Sequence, residues 1–584
     1  MKFNKYPTIK AGAGEDCIVG WSKIRLALKS AVDTIDKADK IVAIECYQGV
    51  FLDEISNEIE QAFPEANMVY SASAMKDERT IRDMTQPDVT DDRVFGVMTS
   101  LCMHHFFDAA KLERDQGQIR SANGLTVVVG IGASLFAAKW DLLIYADMAR
   151  WEIQQRMRKN TVDNIGINDR AESIENQYKR AYFVDWRVCD QLKRELMSNW
   201  DFVLDTNDTN EVKLAKGKVI LDALGQAVKQ PFSVVPFFDP GPWGGQWMKK
   251  KFELDEHQEN FAWCFNCVPE ENSLLIEFPN TTFEIPSLNV VFYHPKELLG
   301  EEVYQQFGAE FPIRFDFLDT MDGGNLSLQV HPLSAYIKEQ FDMDYTQDES
   351  YYMLDAGKDA FVYLGVNDGV DKEEMIAELK KSQSNGHHFD ADKYATKWPA
   401  KKHDHFLIPA GTVHCSGKDC MVLEISATPY IFTFKLWDWG RLGMDGKPRP
   451  ISIDHGKNVI QWDRTPSWTK ENLINRFETY GQGNGWQEEK TGLHELEFIE
   501  TRRHWFDQKI SHHSGNTLNV LMLVEGDEAL VECPRHTFEA FHVNYAEAFI
   551  IPASVKEYTI TPTGASKGKK IATIKAFVKK QDRT

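Results

Sequence analysis

Four polar side chains have the types and the spacing of a metal site. They are Gln329 and His331 in NLSLQVHP, Glu349 in ESYYMLDA and His414 in FLIPAGTVHCSG. Gln329 and His331 are two residues apart, so on a β-strand both side chains point to one face. Two imidazoles and a carboxylate, with the amide oxygen of Gln329, suit Zn²⁺ with one position open for a substrate. We therefore predict one zinc ion per chain, bound by these four residues.

The composition limits the partners and the compartment. The 584-residue chain has a net charge of −22, which argues against a nucleic-acid partner. Its first residues lack the apolar run of a secretory signal, and no stretch approaches the ~20 apolar residues of a membrane span. The nine cysteines are scattered and odd in number, which fits a reducing compartment. We predict a cytoplasmic protein with no membrane partner, and the oligomeric state stays open.

Residues 1–225 alternate between strand-like and helix-like runs. KIVAIECYQ (40–48), LTVVVGIGA (125–133) and LLIYADM (142–148) are continuous apolar runs typical of buried strands. FLDEISNEIEQAF (51–63) carries apolar residues on one helical face. Strands that alternate with helices predict an α/β domain with a parallel sheet.

From about residue 230 the pattern predicts an all-β structure. Short runs of β-branched and aromatic residues, among them NSLLIEF, LNVVFYHP and HFLIPAG, are separated by turn residues. A helical insertion, KEEMIAELKKSQSNG (372–386), interrupts them. AFIIPAS (548–554) repeats the pattern of HFLIPAG (405–411). The repeat indicates a duplicated barrel whose second copy lacks a counterpart of the His331 and Glu349 pair.

The β region resembles the class I mannose-6-phosphate isomerases, a metal-dependent cupin family. Five motifs occur in the family's order over about 230–460, with a weaker match through 584. They are GPWGG (241–245), FPIRFDFLDTMDGGNLSLQVHP (311–332), ESYY (349–352), PAGTVHCSG (409–417) and LEISATPYIFTFKLWDWGR (423–441).

The resemblance implies a double cupin, or jelly roll, that interconverts mannose 6-phosphate and fructose 6-phosphate through a cis-enediol. It places the zinc ligands at Gln329, His331, Glu349 and His414. It makes Arg441 catalytic, because an arginine that ends this strand pair lines the family's active site. Trp243 and Lys435 are expected to bind the substrate.

Two positions depart from the family. Gln347 stands where relatives commonly have a lysine that is proposed to transfer a proton or bind phosphate, and Lys435 and Trp437 stand where relatives commonly have Arg and Tyr. The proton-transfer base is therefore open. The candidates are Lys249, Lys250, Lys435, His403, His405, His455 and a hydroxide on the metal.

Residues 1–225 resemble a P-loop nucleoside or uridine kinase. The resemblance rests on the strand–loop–helix IVAIECYQGVFLDEI (41–55), on a strand ending in Asp147, and on a following helix with Arg150, Arg156 and Arg158. Phosphate binding needs a Lys and a Ser or Thr after the glycines. Here Leu52 and Asp53 stand at those positions. The resemblance therefore implies a non-catalytic domain.

We accordingly divide the chain into a kinase-like domain (1–225), a metal-binding cupin with the active site (226–460) and a second cupin without metal (461–584). Two alternatives to an isomerase remain. One is a catalytically inactive sugar-phosphate sensor, which would explain the missing lysine. The other is a bifunctional enzyme with an active N-terminal kinase.

Overall fold

The structure is a computed structural model that describes residues 2–12, 14, 16–385, 387–442, 448–492, 494 and 497–579. It divides into two compact units. The N-terminal unit consists of Thr8–Gln226 and Ser273–Tyr293, and the β unit consists of Met1–Pro7, Ala227–Asn272 and His294–Thr584. Neither unit is therefore one continuous stretch of sequence.

The N-terminal unit is built on a seven-stranded sheet, and the predicted parallel sheet is present. Five neighbouring strands are parallel to one another. The strand Lys213–Lys216 lies beside them and is antiparallel both to Phe202–Asp205 and to the edge strand Ile18–Val19. In sheet order the strands are Ile18–Val19, Lys213–Lys216, Phe202–Asp205, Leu142–Asp147, Lys40–Cys46, Leu125–Gly130 and Asn67–Tyr70. The central strands are apolar along their length because they are buried on both faces.

Helices cover this sheet. They are Trp21–Asp33, Leu52–Ala62, Glu78–Val89, Ala109–Ser121, Arg150–Arg158, Ile174–Arg180, Trp186–Leu196, Gly217–Ala227 and Leu288–Tyr293. Single turns of 3-10 helix are Ser71–Ala74, Met103–Phe106, Ala133–Phe136 and Met197–Asn199, and Ala181–Asp185 is π-helical. The helix predicted at 51–63 is confirmed, since Ile55 and Ile59 are buried on its apolar face.

The segment 273–293 corrects the sequence prediction. LNVVFYHP was predicted as a strand of the β region, but Leu288–Tyr293 is a helix of the N-terminal unit. A short apolar run fits a buried helix as well as a strand. Asn289 decides the outcome, because its amide donates to the buried Asp147 carboxylate at 2.9 Å while Val290 and Val291 are buried beside it.

The strand predicted in NSLLIEF is present as Ser273–Glu277, but it belongs to the N-terminal unit rather than to the barrel. It pairs in parallel with Thr8–Lys10 and antiparallel with Thr282–Pro286.

We call the antiparallel sheets of residues 237–437 the first module. Its six-stranded sheet has the order His405–Ile408, Asp348–Ala356, Cys420–Ala427, Ile313–Asp319, Trp263–Cys267 and Phe237–Asp239. Its five-stranded sheet has the order Ala395–Pro399, Phe361–Val366, His414–Ser416, Leu328–Val330 and Phe434–Trp437. Side chains of the two sheets meet between them, as Glu349 and His414 show.

We call the antiparallel sheets of residues 478–578 the second module. Its six-stranded sheet has the order Glu478–Gly483, Trp486–Gly492, Ile499–Phe506, Ile571–Val578, Asn519–Glu525 and Ala548–Ile551. Its four-stranded sheet has the order Ile510–His513, Glu557–Pro562, Glu528–Glu532 and Phe541–Asn544. An apolar core that includes Phe506, Leu523, Ile560 and Ile571 lies between the two sheets.

The β unit also contains short helices at the ends and edges of its strands. They are Trp247–Lys251, Pro295–Leu299, Glu301–Phe307, Ser334–Phe341, Lys372–Asn385, Ala391–Tyr394, Ile453–Gly456 and Pro466–Asn472, with a 3-10 turn at Gly564–Ser566. Lys372–Asn385 is the predicted helical insertion, and its predicted last residue, Gly386, lies outside the described residues.

The two modules share hydrogen bonds within the β unit. The Arg503 guanidinium donates to the His403 carbonyl at 3.1 Å, and the Tyr545 hydroxyl donates to the Leu354 carbonyl at 3.2 Å. The domain division at residue 460 therefore stays a prediction. Within the described ranges, no helix is both long enough and apolar enough to cross a membrane.

Candidate metal centre

A row of three side chains crosses the five-stranded sheet of the first module. Gln329 pairs with His414 on one neighbouring strand and with Lys435 on the other. Residues directly opposite each other on antiparallel strands point to the same face. The sheet therefore brings His414, Gln329 and Lys435 to one face, which is the face turned toward Glu349.

Glu349 reaches the same place from the opposite sheet. Its two carboxylate oxygens lie 3.1 Å from His331 Nε2 and 3.1 Å from His414 Nε2. Candidate ligand atoms of these three residues all lie within 4.8 Å of one another, and all three side chains are buried. Three of the four predicted ligands are thus brought together between the sheets.

The hydrogen bonds of the two imidazoles favour a metal. His331 Nδ1 lies 2.9 Å from the Phe432 carbonyl, and His414 Nδ1 lies 2.8 Å from the Thr412 carbonyl. A carbonyl accepts only, so each Nδ1 carries the proton and each Nε2 presents a lone pair. Both lone pairs then face the oxygens of Glu349. A cation between them satisfies all of these atoms at once, and this is the usual arrangement of metal-binding histidines.

Gln329 lies next to the triad with its amide turned toward His414. Gln329 Nε2 is 3.1 Å from His414 Nε2. Rotating the amide by a half-turn exchanges its nitrogen and oxygen with little change in shape, and the oxygen would then face the site. Its role as a fourth ligand stays a prediction.

The electrostatics of the triad also indicate a site built for a cation. Burial alone would raise the pKa of Glu349, but His331 and His414 outweigh it and hold that pKa well below its usual range. Burial acts to lower the pKa of His331, yet the Glu349 carboxylate raises it. For His414 burial prevails and the pKa is lowered. Glu349 therefore remains an anion that attracts positive charge.

Gln347 orients Glu349. Its amide nitrogen donates to Glu349 Oε2 at 2.8 Å, and its amide oxygen accepts from the Phe432 backbone at 2.8 Å. The side chain is buried and cannot titrate. Gln347 thus holds the carboxylate in position and has no capacity for proton transfer.

Three further residues, which the sequence did not indicate, also face the site. Tyr351 is on the same strand face as Glu349, and its ring lies 5.9 Å from that of His414. Cross-strand pairing places Glu424 beside Tyr351 and Asp316 beside Glu424. Burial raises the pKa of Asp316 to about 7. The sequence does carry a signal for these residues, because each is a polar residue at an alternate position of an otherwise apolar strand.

Most of the candidate bases point away from the metal face. The His403 ring hydrogen bonds to the Tyr352 hydroxyl at 2.9 Å, and His405 pairs with Tyr352 on the neighbouring strand. Tyr352 is on the opposite strand face from Glu349 and Tyr351. His403 and His405 are therefore outside the site.

Of the remaining candidate bases in the β unit, three have partners away from the metal ligands and one lies beside them. His455 stacks on Phe434 at 5.1 Å, and Phe434 faces away from its neighbour Lys435. Lys249 donates to the Gln258 carbonyl at 2.6 Å, and Lys250 pairs with Asp322 at 3.0 Å. Of the six candidate side chains, Lys435 is the one whose strand register puts it beside the metal ligands.

Lys435 has an unusual environment for a lysine. Across the described part of the chain, its Nζ has neither a hydrogen-bond acceptor nor an ionic partner within 4.0 Å. Burial, aided by Arg449, lowers its pKa to about 8. An ammonium group held in this way is available to an anionic ligand.

Arg441 is bound at the end of the strand Phe434–Trp437. Its guanidinium contacts the Asp438 carboxylate at 2.5 Å and donates to the Asn325 carbonyl at 2.8 Å. Arg449 binds the other oxygen of Asp438 at 3.0 Å. The predicted catalytic role of Arg441 stays a prediction, and the structure gives it a local ion pair.

Trp243 is buried and packs edge-on against Trp263 at 4.6 Å. Its carbonyl accepts from the Gly324 backbone at 3.0 Å, just before the strand that carries Gln329. Its predicted substrate contact stays a prediction.

Comparisons with known proteins give relatives for part of the chain. A family model described as a domain of unknown function (DUF8485) matches residues 20–229. The chain is 28% identical to the mannose-6-phosphate isomerase of Streptococcus mutans over 232 residues, which is 39% of this chain and 67% of that protein. It is 26% identical to mannose-6-phosphate isomerase ManA of Bacillus subtilis over 238 residues, or 41% and 70% of the two chains.

Solved structures give weaker likenesses. A mannose 6-phosphate isomerase from Bacillus subtilis is 19% identical with a TM-score of 0.47, and the match covers 59% of this chain and 99% of that one. A zinc-bound mannose 6-phosphate isomerase is 13% identical with a TM-score of 0.46, and the match covers 60% and 100%.

Proposed function

We propose that this protein is a zinc-dependent aldose–ketose isomerase with a double-cupin β unit, and that it interconverts mannose 6-phosphate and fructose 6-phosphate. The observation that carries the proposal is the triad of His331, Glu349 and His414, whose lone pairs converge on one buried point. The relatives named mannose-6-phosphate isomerase support the choice of substrate.

The reaction moves a proton between C1 and C2 of the sugar through a cis-enediol. One zinc ion per chain, held by the triad and Gln329, would act as a Lewis acid on the carbonyl and hydroxyl oxygens. The protein must also bind the phosphate and supply a group that accepts and returns the proton. Two buried acids, Glu424 and Asp316, also face the site, and burial raises the pKa of each, so neither carries a full negative charge near neutral pH.

We propose that Lys435 is the cation that contacts the substrate. It stands one strand away from Gln329 on the same face, and its ammonium has no acceptor among the described residues. A lysine whose pKa is about 8 exchanges a proton readily near neutral pH, and its protonated form binds phosphate or an enediolate oxygen. Lys435 would thus supply the charge that Gln347 does not.

Arg441 and Trp243 complete the proposed site. Arg441 would stabilise negative charge on the substrate from its position on Asp438, and Trp243 would form an apolar wall behind Gly324. A matched pair of variants tests the arginine. If Arg441 contacts the substrate, Arg441→Ala lowers kcat strongly and Arg449→Ala does not, although both residues bind Asp438. Equal losses would assign Arg441 to the ion pair alone.

The alternative is a sugar-phosphate sensor without catalysis. The test is conversion of mannose 6-phosphate to fructose 6-phosphate by purified protein, before and after zinc is stripped and restored. Zinc-dependent turnover supports the isomerase. Binding of mannose 6-phosphate at one per chain with zinc present and no turnover would replace it with the sensor.

For the N-terminal unit we propose a P-loop kinase-like domain that has lost catalysis, in a cytoplasmic protein. The loop after the strand Lys40–Cys46 is filled by the unit's own side chains. Arg156 donates to the Gly49 carbonyl at 3.0 Å, and a Cβ at Gly49 would lie 2.9 Å from Ile153. A triphosphate would have to displace both. Saturable binding of ATP by the full chain would contradict this proposal and favour the bifunctional alternative.

A further inference from the structure

The interior of the second module contains a polar cluster that the proposed isomerase reaction does not use. Its residues form successive cross-strand pairs on the inner face of the six-stranded sheet. Arg502 pairs with Lys575, His504 pairs with Thr573, and Phe506 pairs with Ile571. Phe506 and Ile571 belong to the apolar core, so the polar residues two and four positions away point into the same interior.

The opposite sheet contributes to this cluster. The His512 ring lies 4.6 Å from the His504 ring and stacks on Tyr558 at 5.0 Å. His504, His512, Tyr558, Thr573 and Lys575 are each at least nine-tenths buried. We call these five residues the second-module cluster.

Several polar atoms of the cluster are left without a partner. Across the described ranges, His504 Nδ1, His512 Nε2, the Tyr558 hydroxyl and the Thr573 hydroxyl make no hydrogen bond. Buried polar groups are nearly always hydrogen bonded, because each unsatisfied one costs about 1–3 kcal/mol. These four atoms belong to neighbouring side chains, which makes the cluster a candidate site for a polar ligand.

Lys575 indicates the charge of the ligand that the cluster would bind. Its side chain is 6% exposed, yet none of the described residues offers Nζ a hydrogen-bond acceptor or a carboxylate within 4.0 Å. Glu488, the acid whose charge acts most strongly on Lys575, is already bound by His504 Nε2 at 3.0 Å and by Arg502 at 3.2 Å. A buried ammonium without a counter-ion is costly, and a negatively charged ligand removes that cost.

The same residues disfavour a metal ion. A divalent cation would approach the positive charges of Lys575 and Arg502, and Glu488 is already engaged by both His504 and Arg502. Among the described residues, the group of three candidate metal ligands within 4.8 Å of one another lies in the first module, at His331, Glu349 and His414. Lys575, Tyr558 and Thr573 supply donors instead, which suits the oxygens of an anion.

We propose that the second-module cluster is a binding site for a small oxyanion, either free phosphate or the phosphate group of a sugar phosphate. Lys575 supplies the charge, and the hydroxyls of Tyr558 and Thr573 supply hydrogen bonds, beside the rings of His504 and His512. Arg502 and Glu488 lie at the more exposed end of these cross-strand pairs, where the anion enters. This site goes beyond the proposed isomerase function and does not depend on it.

The test is a titration of the full-length protein, labelled with ¹³C in its histidine rings, with inorganic phosphate against chloride at matched ionic strength. Loss of a signal in His504→Gln and His512→Gln assigns the two resonances. We expect both to shift saturably with phosphate and to do so equally in Lys435→Met, which separates this site from the first module. In Lys575→Met the apparent Kd should rise at least tenfold, and the matched control Lys567→Met should leave it unchanged.

A second titration with mannose 6-phosphate distinguishes the two sources of the anion. A lower Kd for mannose 6-phosphate identifies a sugar-phosphate site, and a lower Kd for inorganic phosphate identifies a free-anion site. Lys575→Arg, which keeps the charge, should retain binding and guards against a folding defect in Lys575→Met. If neither resonance moves in the wild type, or if Lys575→Met binds as tightly as the wild type, the proposal is wrong.

Discussion

The first and second modules each bring two histidine rings together between facing sheets, but their charges differ. The ring centroids are 4.9 Å apart for His331 and His414 and 4.6 Å apart for His504 and His512. In each module a carboxylate lies about one hydrogen bond from a histidine Nε2, at 3.1 Å for Glu349 and 3.0 Å for Glu488. The two interiors therefore start from similar groups.

The two modules differ in the residues next to the carboxylate. Glu349 accepts from the neutral amide of Gln347, so its charge remains for a cation. Glu488 is bound by Arg502, and Lys575, which has no carboxylate partner among the described residues, adds a further positive charge. The comparison teaches that histidine pairs in a β sandwich do not by themselves define a metal site. The residues next to the carboxylate decide whether the interior favours a cation or an anion.

The largest expected effect is on metal binding. His331→Ala should weaken zinc binding by well over ~100-fold, since even outer-shell partners of a metal are worth ~10–100-fold. Metal analysis after dialysis should fall from one zinc per chain to near zero with circular dichroism unchanged. The matched variant His512→Ala in the second module should keep its zinc. Retention of stoichiometric zinc by His331→Ala would remove the distinction between the modules.

The second effect is on catalysis. Lys435→Met should keep one zinc per chain and lower kcat/KM by ~10²–10⁴, the range expected for a lost proton-transfer or charge-stabilising group. The exposed Lys418→Met is the control and should be unaffected. A loss confined to KM would assign Lys435 to phosphate binding, and a loss in kcat would assign it to proton transfer. Unchanged values of both would eliminate it from the site.

The third effect is on stability and tests the buried charge of the second module. Burial lowers the pKa of Lys575 from its usual 10.5 to about 8. Below pH 8 the amine is protonated in both states, so the folded state bears the full cost of the buried charge. As the pH rises from 8 to 10.5 the folded state releases its proton first, and the cost disappears.

Lys575→Met should therefore raise the free energy of unfolding at pH 7, in phosphate-free buffer, by on the order of 2–3 kcal/mol. The gain should shrink progressively above pH 8. Urea unfolding of the wild type and of Lys575→Met at several pH values measures it, with Lys567→Met as the exposed control. A destabilised Lys575→Met at pH 7 would mean that the ammonium already has a counter-charge.

The smallest expected effect sharpens the role of Gln347. Gln347→Leu removes the hydrogen bond to Glu349 and should weaken zinc binding about tenfold, as expected for a residue that orients a metal ligand. Competition with a chromogenic chelator measures the affinity. A change of more than 100-fold would indicate that Gln347 is itself a ligand, and no change would show that Glu349 is oriented without it.

Strand periodicity predicts that Gln329 and His331 share a face, whereas their meeting with Glu349 and His414 was expected from the order of the motifs in the family resemblance. Residues two apart on a strand point to the same face. Short apolar runs between turns indicate where the strands lie. The parallel sheet of the N-terminal unit was predictable for the same reason, since buried parallel strands are continuously apolar.

Long-range packing could not be predicted. The short run Leu288–Tyr293 fits a strand or a helix, because so few residues show no clear period, and its helix depends on the contact of Asn289 with Asp147. Tyr351, Glu424 and Asp316 were missed because their approach to the metal face depends on which strands become neighbours. The second-module cluster could not be predicted for the same reason, since His504 and His512 come from different sheets.

The main prediction is that the first module binds a metal and the second module does not. Anomalous X-ray diffraction at the zinc absorption edge, on crystals of the full chain grown with zinc, tests it most directly. We expect one anomalous peak about 2.0–2.2 Å from the ligand atoms of His331, Glu349 and His414, and none at the second-module cluster. A peak between Glu488 and the His504–His512 pair, or no peak at the first-module triad, would contradict it.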